Sequence, residues 1–201
     1  MAYKVLNNVS VKDVTSSDLL SLKTDLLVIV INKNTKDKVV NELAKDVSSH
    51  LKESGSSVLV PNAKSFNAKN VLLVKGFQDS DQIHKLISMY QSIAQKGNQL
   101  KARDISIMPG TVYPKGKCEM WLIEMVAKTI ESNVYIFSET CNKTAKKPSV
   151  KKLNILVSSL TKSDLIKAKN AAKKGYAIGE GVNSAKYLGD LPANHLSLIH
   201  I

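Results

Sequence analysis

The chain has 201 residues, 43% of them apolar and 23% charged, and its formal net charge is +12. This composition is normal for a soluble globular protein of one large domain, or of one domain with an extension. No apolar run approaches the ~20 residues that a membrane helix needs, and no secretory signal follows Met1. We therefore expect a cytoplasmic protein with no membrane partner.

Strands alternate with helices along the first 160 residues. Strands are indicated by short apolar, β-branched runs, and helices by apolar side chains that recur every three or four residues. In chain order these patterns predict a strand at 26–31, a helix from Val39 to Leu51, strands at 58–60 and 70–74, a helix from Ile83 to Gly97, a strand at 104–108, a helix from Trp121 to Ile130, and strands at 134–137 and 153–157. The alternation predicts an α/β three-layer domain over residues 1–160, with a mixed sheet flanked by helices.

A long helix with a small-sided stripe follows this domain. Thr161 and Asp164 fit a capping box, with Thr161 as the N-cap. Small and apolar residues then recur at helical spacing: Leu165, Ala168, Ala172, Gly175, Gly179 and Val182. Glycine inside a helix costs about 1 kcal/mol relative to alanine, so the stripe predicts close packing against a partner. We expect a helix to about residue 187 that joins two domains and is poorly covered, with a frayed distal half, until the second domain packs on it.

The positive charge is compatible with binding to a polyanion. Five lysines around the polar stretch at 138–151 form the candidate contact surface: Lys143, Lys146, Lys147, Lys151 and Lys152. Arg103 is the only arginine, and arginine is the residue that reads phosphates and bases with paired hydrogen bonds. Any DNA binding is therefore expected to be weak, independent of sequence and sensitive to salt. The alternative is that these lysines only solvate the surface.

The sequence contains no complete active site of a recognised class. The stretch from Gly110 to Cys118 follows a predicted strand and opens a helix, but five residues separate its glycines where a phosphate loop needs four. We interpret it as a strand-to-helix turn. The glycines from Gly175 to Gly181 lie inside a helix and not after a strand, which argues against a dinucleotide fingerprint. Neither the four histidines, the two cysteines nor the acidic residues show metal-binding spacing.

The segment from Gly181 to Asn194 resembles the junction in leucyl aminopeptidases, also called cytosol aminopeptidases, where the N-terminal domain meets the catalytic domain. The family pattern is Gly-x-x-x-Ala-x-x-Leu-x-Asn-x-Pro-x-Asn, and this chain matches it at Gly181, Ala185, Leu188, Pro192 and Asn194. It differs at Asp190, where many members carry asparagine. The upstream order of strands and helices is also similar to the family's N-terminal domain, which resembles a macro domain.

The resemblance implies the N-terminal part of a metallo-exopeptidase that removes N-terminal residues, often leucine, from peptides. Members are usually cytosolic homohexamers, and their C-terminal domain binds two divalent metal ions, zinc or manganese. Some bacterial members also bind DNA. The hallmark Asn-Thr-Asp-Ala-Glu-Gly-Arg-Leu does not occur here, so the resemblance places all catalytic and metal residues beyond residue 201. It implies that this chain alone is inactive and that its first partner is its own catalytic domain.

A second interpretation treats the chain as a free-standing binding module. A macro-like fold could bind ADP-ribose or a related nucleotide, and the basic surface could bind nucleic acid. The ends of the first strands lack the aspartate and the glycine-rich phosphate loop that nucleotide binding would need, which weakens the nucleotide version.

The last six residues, 196–201, resemble the conceptual translation of a transposon adaptor used in sequencing libraries. They follow Asn194 and His195 abruptly, where family members continue toward a Thr-Pro turn and another helix. We therefore expect residues 161–195 to form the linker helix and the start of the catalytic domain. Residues 196–201 are expected to be a non-native tail.

We predict that the genomic DNA continues in frame past codon 195 toward Asn-Thr-Asp-Ala-Glu-Gly-Arg-Leu. The reason is the abrupt change after His195 in a segment that otherwise follows the family pattern. Sequencing of the genomic DNA across this codon tests the prediction. A natural stop codon directly after Ile201 would contradict the adaptor interpretation.

Overall fold

The structure, a computed structural model, describes residues 5–31, 55–61, 65–77, 83–110, 113–138, 147–158 and 160–192. Its centre is a six-stranded sheet formed by β1 (Asn8–Asp13), β2 (Leu26–Ile31), β3 (Ser57–Pro61), β4 (Asn70–Lys75), β5 (Asp104–Met108) and β6 (Lys152–Val157). The strand order is β1-β6-β5-β2-β4-β3. Among these described strands only β3 runs antiparallel to its neighbour, β4, so the sheet is mixed as predicted.

Helices cover both faces of the sheet. They are α1 (Ser16–Ser21), α2 (Ile83–Gln99), α3 (Glu119–Val134) and α4 (Lys162–Asp190). The last three pack on one face, whereas α1 and the segment 65–68 pack on the other. The predicted three-layer α/β fold is therefore confirmed. Within the described part of the chain, no helix is long and apolar enough to cross a membrane.

The central strand β2 is buried on both faces. Leu26, Val28 and Val30 point into the core beneath α2, α3 and α4, whereas Leu27 and Ile29 point into the core beneath α1. None of the five is more than 4% exposed. A strand that is covered on both sides needs an apolar residue at every position, and this explains the continuous apolar run in the sequence.

The sequence patterns did not predict β1 and α1. β1 is an edge strand of the described sheet, and only Val11 in it is buried, so it lacks a continuous apolar run. α1 has six residues, too few for a helical repeat to show. A capping box fixes its start: the Thr15 hydroxyl accepts from the Asp18 N–H, and the Asp18 carboxylate accepts from the Thr15 N–H at 2.8 Å.

Gly97 does not end α2, as the sequence suggested, but lies buried inside it. A Cβ at this position would lie 2.6 Å from Ile105 Cδ1 and 3.1 Å from Val150 Cγ2. Gly97 is therefore small because α2 approaches β5 closely there, and the helix continues to Gln99.

The strand predicted at 134–137 does not form. Val134 is the last residue of α3 and is fully buried, and residues 135–138 have no regular structure. The apolar residues there pack at a helix end instead of pairing with a strand. The helix predicted from Val39 to Leu51 lies outside the described residues.

The small-sided stripe of α4 packs against α3. Lys174 of α4 contacts Glu124 of α3, and further along both helices Asn183 contacts Glu131. Because the residue numbers of both partners increase in the same direction, the two helices run parallel. A Cβ on Gly175 would lie 2.1 Å from the Glu124 backbone oxygen, so only glycine lets the two backbones approach this closely. The buried positions on α4 are Ala168, Ala172, Gly175, Gly179 and Asn183.

The prediction that this stripe stays poorly covered without a following domain is therefore wrong, because α3 supplies the partner surface. The predicted N-cap is confirmed, since the Thr161 hydroxyl accepts from the Asp164 N–H at 3.1 Å. The helix runs to Asp190, slightly beyond its predicted end. The boundary between a domain over 1–160 and a linker over 161–195 stays a prediction.

We predict that Gly175→Ala lowers the free energy of unfolding by about 1–3 kcal/mol, because the added methyl group would collide with the α3 backbone. Gly181→Ala is the matched control on the same helix. Nothing lies within 4 Å of a Cβ there, so this change should raise the free energy of unfolding by up to about 1 kcal/mol. Urea denaturation measures both, and equal effects of the two variants would contradict the packing.

Candidate functional site

The distal half of α4 has a second face, which no other described part of the chain covers. Ile178 is 38% exposed and Leu188 is 51% exposed. Gly181 and Ala185 lie between them at helical spacing and are also exposed. This free face, defined by Ile178, Gly181, Ala185 and Leu188, carries no charged residue. It lies roughly opposite the stripe that packs on α3.

Three residues of the aminopeptidase-like pattern lie on this free face. They are Gly181, Ala185 and Leu188, which are exposed on α4. Pro192 follows the helix and is also exposed, while Asn194 lies outside the described residues. The packing of α4 on α3 therefore does not explain why Gly181, Ala185 and Leu188 occur at these positions. A contact with something other than α3 would explain their small or apolar character.

Asp190, the position where the chain departs from the family pattern, has a partner of its own. Its carboxylate accepts a 2.8 Å hydrogen bond from the Tyr135 hydroxyl, just after α3. Nearby, the Lys186 ammonium lies 5.9 Å from the centroid of the Tyr135 ring, and the rings of Phe137 and Tyr187 are 6.3 Å apart. These contacts between aromatic side chains, Lys186 and Asp190 hold the last turns of α4 against the segment that follows α3.

A buried carboxylate joins three parts of the chain behind the free face. Glu131 of α3 is fully buried, and its carboxylate accepts from the N–H groups of Val5 and Leu6 at 2.9 and 3.0 Å. The Asn183 amide of α4 donates to the same carboxylate at 3.0 Å. The Tyr176 hydroxyl of α4 donates to the Leu6 carbonyl at 2.8 Å.

Burial raises the pKa of Glu131, although hydrogen bonds from Val5, Leu6 and Asn183 oppose the shift; the charge of Glu180 adds to it. Sequence reasoning missed this group. No local pattern marked it as buried, because Glu131 is followed by two polar residues, Ser132 and Asn133.

Basic side chains gather where the parallel strands begin. This basic edge consists of Lys23, Lys69, Lys101, Arg103, Lys151 and Lys152. Backbone hydrogen bonds hold the strand starts together, since the N–H groups of Lys151 and Lys152 donate to the Arg103 carbonyl at 2.7 and 3.1 Å. Five of the six side chains are exposed, and Lys151 is half-buried.

Two carboxylates partly neutralise the basic edge. Asp25 pairs with Lys69 at 2.5 Å and accepts from the Arg103 N–H at 2.8 Å. Partial burial raises the pKa of Asp25, but the Lys69 and Arg103 contacts outweigh it and lower the pKa overall. Asp104 accepts from the Thr24 hydroxyl at 2.7 Å. These contacts position the strand starts, and within the described part of the chain most of these cations form no ion pair.

The structure brings together part of the predicted lysine set. Lys151 and Lys152 belong to the basic edge, and Lys147 is exposed a few residues before them. Lys143 and Lys146 lie outside the described residues. Sequence reasoning missed Lys69, Lys101 and Arg103, which are distant in the chain and meet only because β4, β5 and β6 start at one edge of the sheet.

The structure adds no functional evidence for the other candidate sites, which are the 110–118 turn, the cysteine at the start of α3 and the described histidine. Residues 113–118 form the turn between β5 and α3, as interpreted, with Gly116 at a φ of +78°. Cys118 is the N-cap of α3 and makes no side-chain capping bond. His84 is exposed on α2. Among the described residues, no group of three or more His, Cys, Asp or Glu side chains could hold a metal ion.

We predict that any DNA binding by this chain is weak and salt-dependent and depends on the basic edge. The triple change Lys101→Glu, Arg103→Glu and Lys152→Glu should weaken binding to a 30-nucleotide strand at least ~10-fold at low salt and flatten its salt dependence. The control, Lys115→Glu, Lys117→Glu and Lys162→Glu, changes net charge equally at the opposite ends of the strands. Equal losses in a fluorescence anisotropy titration would show that only net charge matters.

Comparison with known proteins identifies a consistent set of relatives. The chain is 28% identical over 176 residues to a probable cytosol aminopeptidase of Vesicomyosocius okutanii, covering 86% of this chain and 34% of that protein. It is 26% identical over 189 residues to the cytosol aminopeptidase of Pseudomonas aeruginosa, covering 87% of this chain and 37% of the relative. No family model matches the chain.

The fold comparison agrees with the sequence comparison. A mutant of tomato leucine aminopeptidase superposes on the whole chain with a TM-score of 0.67 at 18% identity, and the match covers 41% of the tomato chain. The chain thus spans little more than a third of the length of these two curated relatives, in their N-terminal part. These findings confirm that the chain is similar to the N-terminal region of the cytosol, or leucyl, aminopeptidases and shares the fold of their N-terminal domain.

Proposed function

We propose that the chain is the N-terminal domain and connecting helix of a leucyl aminopeptidase-like metallo-exopeptidase, whose catalytic domain follows. The observation that carries this proposal is the position of the match. Relatives named cytosol aminopeptidase align with most of this chain, and the chain accounts for only 34% and 37% of two of them. A domain of this kind shapes access and assembly and does not itself cleave peptides.

The chemistry of the described residues supports a non-catalytic role for this part. Hydrolysis by paired metal ions needs several oxygen ligands that converge within a few ångströms. Several of the described acidic residues instead cap a helix, pair with a lysine or accept backbone hydrogen bonds, and no group of three or more His, Cys, Asp or Glu among the described residues could hold a metal ion. They do not fit a two-metal site, so we derive no catalytic step from them. In the proposed enzyme, zinc or manganese would be held by the domain that follows.

The free face of α4 supports the second part of the proposal. A solvent-exposed helix face normally carries polar side chains. Here Ile178, Gly181, Ala185 and Leu188 are exposed together at the end of the chain's longest described helix. Because α3 already covers the opposite side, this face is available to the following domain. We propose that α4 is clamped between the two domains and fixes their relative position.

The remaining properties of the whole enzyme are proposed on the same basis. They are a cytoplasmic location, assembly as a homohexamer, and peptide substrates with an N-terminal residue such as leucine. A second function, weak polyanion binding, is favoured by one specific observation, the basic edge with its exposed Lys101, Arg103 and Lys152. Binding of an ADP-ribose-type nucleotide stays a prediction.

We predict that the pure 201-residue chain does not hydrolyse a leucine anilide in the presence of Mn²⁺ or Zn²⁺. A version extended in frame through the following domain should hydrolyse it and lose this activity with a chelator. Chelator-sensitive hydrolysis by the short chain would refute the non-catalytic role. An extended protein that folds, binds metal and stays inactive would refute the aminopeptidase assignment.

A matched substitution tests the proposed role of the free face. Leu188→Glu should lower the activity or assembly of the extended enzyme, because it places a charge in the domain contact. In the 201-residue chain the same change should leave the melting temperature nearly unchanged, because Leu188 is already 51% exposed. A large loss of stability in the short chain would show that Leu188 serves the fold and not the contact.

A further inference from the structure

The last turn of α4 reaches beyond the end of α3. The Asn183 side chain of α4 donates to the Glu131 carbonyl of α3 at 3.0 Å. From this contact α3 continues only to Val134, whereas α4 continues to Asp190. Among the described residues, the segment that follows α3 therefore holds the last turn of α4.

Three contacts join that segment to the end of α4. The hydroxyl of half-buried Tyr135 donates to the Asp190 carboxylate at 2.8 Å. The Lys186 ammonium lies 5.9 Å from the centroid of the same tyrosine ring. The rings of Phe137 and Tyr187 are 6.3 Å apart and inclined by 52°. The first contact holds the final residue of the helix, and the other two hold residues about one turn earlier.

Asp190 is electrostatically unfavourable for the helix itself. The last carbonyl groups of a helix carry partial negative charge, which repels an acidic side chain. The last turn of α4 contains no basic residue, and the Lys186 ammonium donates to the Ser132 carbonyl. The Tyr135 hydroxyl is the described group that donates to Asp190, and a hydrogen bond to an ionised acceptor is stronger than one between neutral groups. The contact with Tyr135 therefore explains an aspartate at this position better than the helix does.

The local sequence determines where the chain leaves α4. Pro192 disfavours helical geometry in the residue before it, and Leu191 is extended, with φ −69° and ψ 132°. The Leu191 N–H still donates to the Tyr187 carbonyl at 3.2 Å. The direction in which the chain continues therefore depends on how the last turn of α4 is oriented.

We propose that Tyr135 and Asp190 form an exit clamp, which fixes the direction in which the chain leaves α4 and thereby sets the position of the domain that follows. Both are positioning residues, since they act through the helix end and not on a substrate. The inference rests on the proposed function only in requiring that a folded domain follows Pro192.

The exit clamp and the free face lie on opposite sides of the same turn. At 3.6 residues per turn, Asp190 lies roughly 160° around the helix from Leu188. Leu188 is 51% exposed on the free face, whereas Asp190 accepts from Tyr135. A helix end that is held from one side presents its other side in one orientation. Loss of the Tyr135 contact would let the last turn move, together with Leu188 and the start of the connection.

Hydrogen exchange of the 201-residue chain, followed by nuclear magnetic resonance, tests the clamp itself. Tyr135→Phe removes the donor and leaves Asp190 without it, so the amides of residues 188–191 should exchange at least about 5-fold faster. The amide of Gly179, which packs on α3, should be unchanged. The matched control is Tyr113→Phe, which removes a hydroxyl from the turn before α3. Unchanged exchange in Tyr135→Phe, or equal acceleration by the control, would overturn the clamp.

A double-mutant comparison assigns the effect to the pair. In the Asp190→Ala background the acceptor is absent, so Tyr135→Phe should cause no further acceleration. Asp190→Asn keeps an accepting side-chain oxygen and should keep the sensitivity to Tyr135→Phe. An equal effect of Tyr135→Phe in all three backgrounds would show that the hydrogen bond is not responsible, and would contradict the proposal.

Double electron–electron resonance measures the position of the following domain in the extended enzyme. One spin label replaces Lys85, an exposed residue of α2, and a second lies on the surface of the following domain, in a protein whose native cysteines have been replaced. Labelled chains are diluted with unlabelled ones, so that distances arise within one chain. Tyr135→Phe should broaden or shift the distance distribution, whereas Asp190→Asn and Tyr113→Phe should preserve it.

This measurement separates the exit clamp from the proposed function. Distances that change in Tyr135→Phe but not in Asp190→Asn support the clamp even if the extended protein hydrolyses no peptide, a result that would refute only the aminopeptidase assignment. Distances that stay the same in Tyr135→Phe would overturn the clamp, and activity of the same protein would leave the assignment intact.

Discussion

The close approach of α4 to α3 is the contact on which the rest of the described structure depends. Gly175 and Gly179 bring the α4 backbone against Glu124, Lys128 and Glu131 of α3, where a side chain of any size would collide. The two helices run parallel because each follows a parallel strand, β5 or β6, and returns along the same face of the sheet. From this position α4 also covers the edge strand β1, so one helix contact closes one side of the core.

That contact gives α4 two different faces. The proposed function is based on the difference between them. The face on α3 is small because two backbones meet there. The opposite face, from Ile178 to Leu188, is apolar although it is exposed. Gly181, Ala185 and Leu188, three of the five residues shared with the aminopeptidase pattern, lie on this second face, and the relatives that match the chain continue well beyond the matched region. Packing within the domain therefore explains the first face, and the proposed second domain explains the other.

Charge is distributed as unevenly as the apolar surface. Lysines and Arg103 collect at the edge where the parallel strands begin, where water and nearby carboxylates such as Asp25 screen them. Glu131, in contrast, is buried against the start of the chain and α4, and its donors among the described residues are the N–H groups of Val5, Leu6 and Asn183. An exposed charge is tolerated anywhere on a surface, whereas a buried one must be matched by specific hydrogen bonds. The buried glutamate therefore restricts the fold more tightly than the many exposed lysines do.

Elements with a local pattern can be recognised from the amino-acid sequence alone. Burial on a strand or helix repeats along the chain, so the apolar run of β2 and the helical repeats of α2 and α3 are visible within a few residues. The Thr161 cap and the junction pattern from Gly181 are equally local. Which surfaces meet depends on tertiary contacts and could not be predicted from these patterns. In the structure Gly97 lies inside α2, Val134 ends a helix instead of starting a strand, and α3 covers the small-sided stripe of α4. Hydrogen bonds also connect Arg103 with Lys152 and Val5 with Glu131. These contacts link residues far apart in sequence, and a local pattern can show that a surface must be buried without showing what buries it.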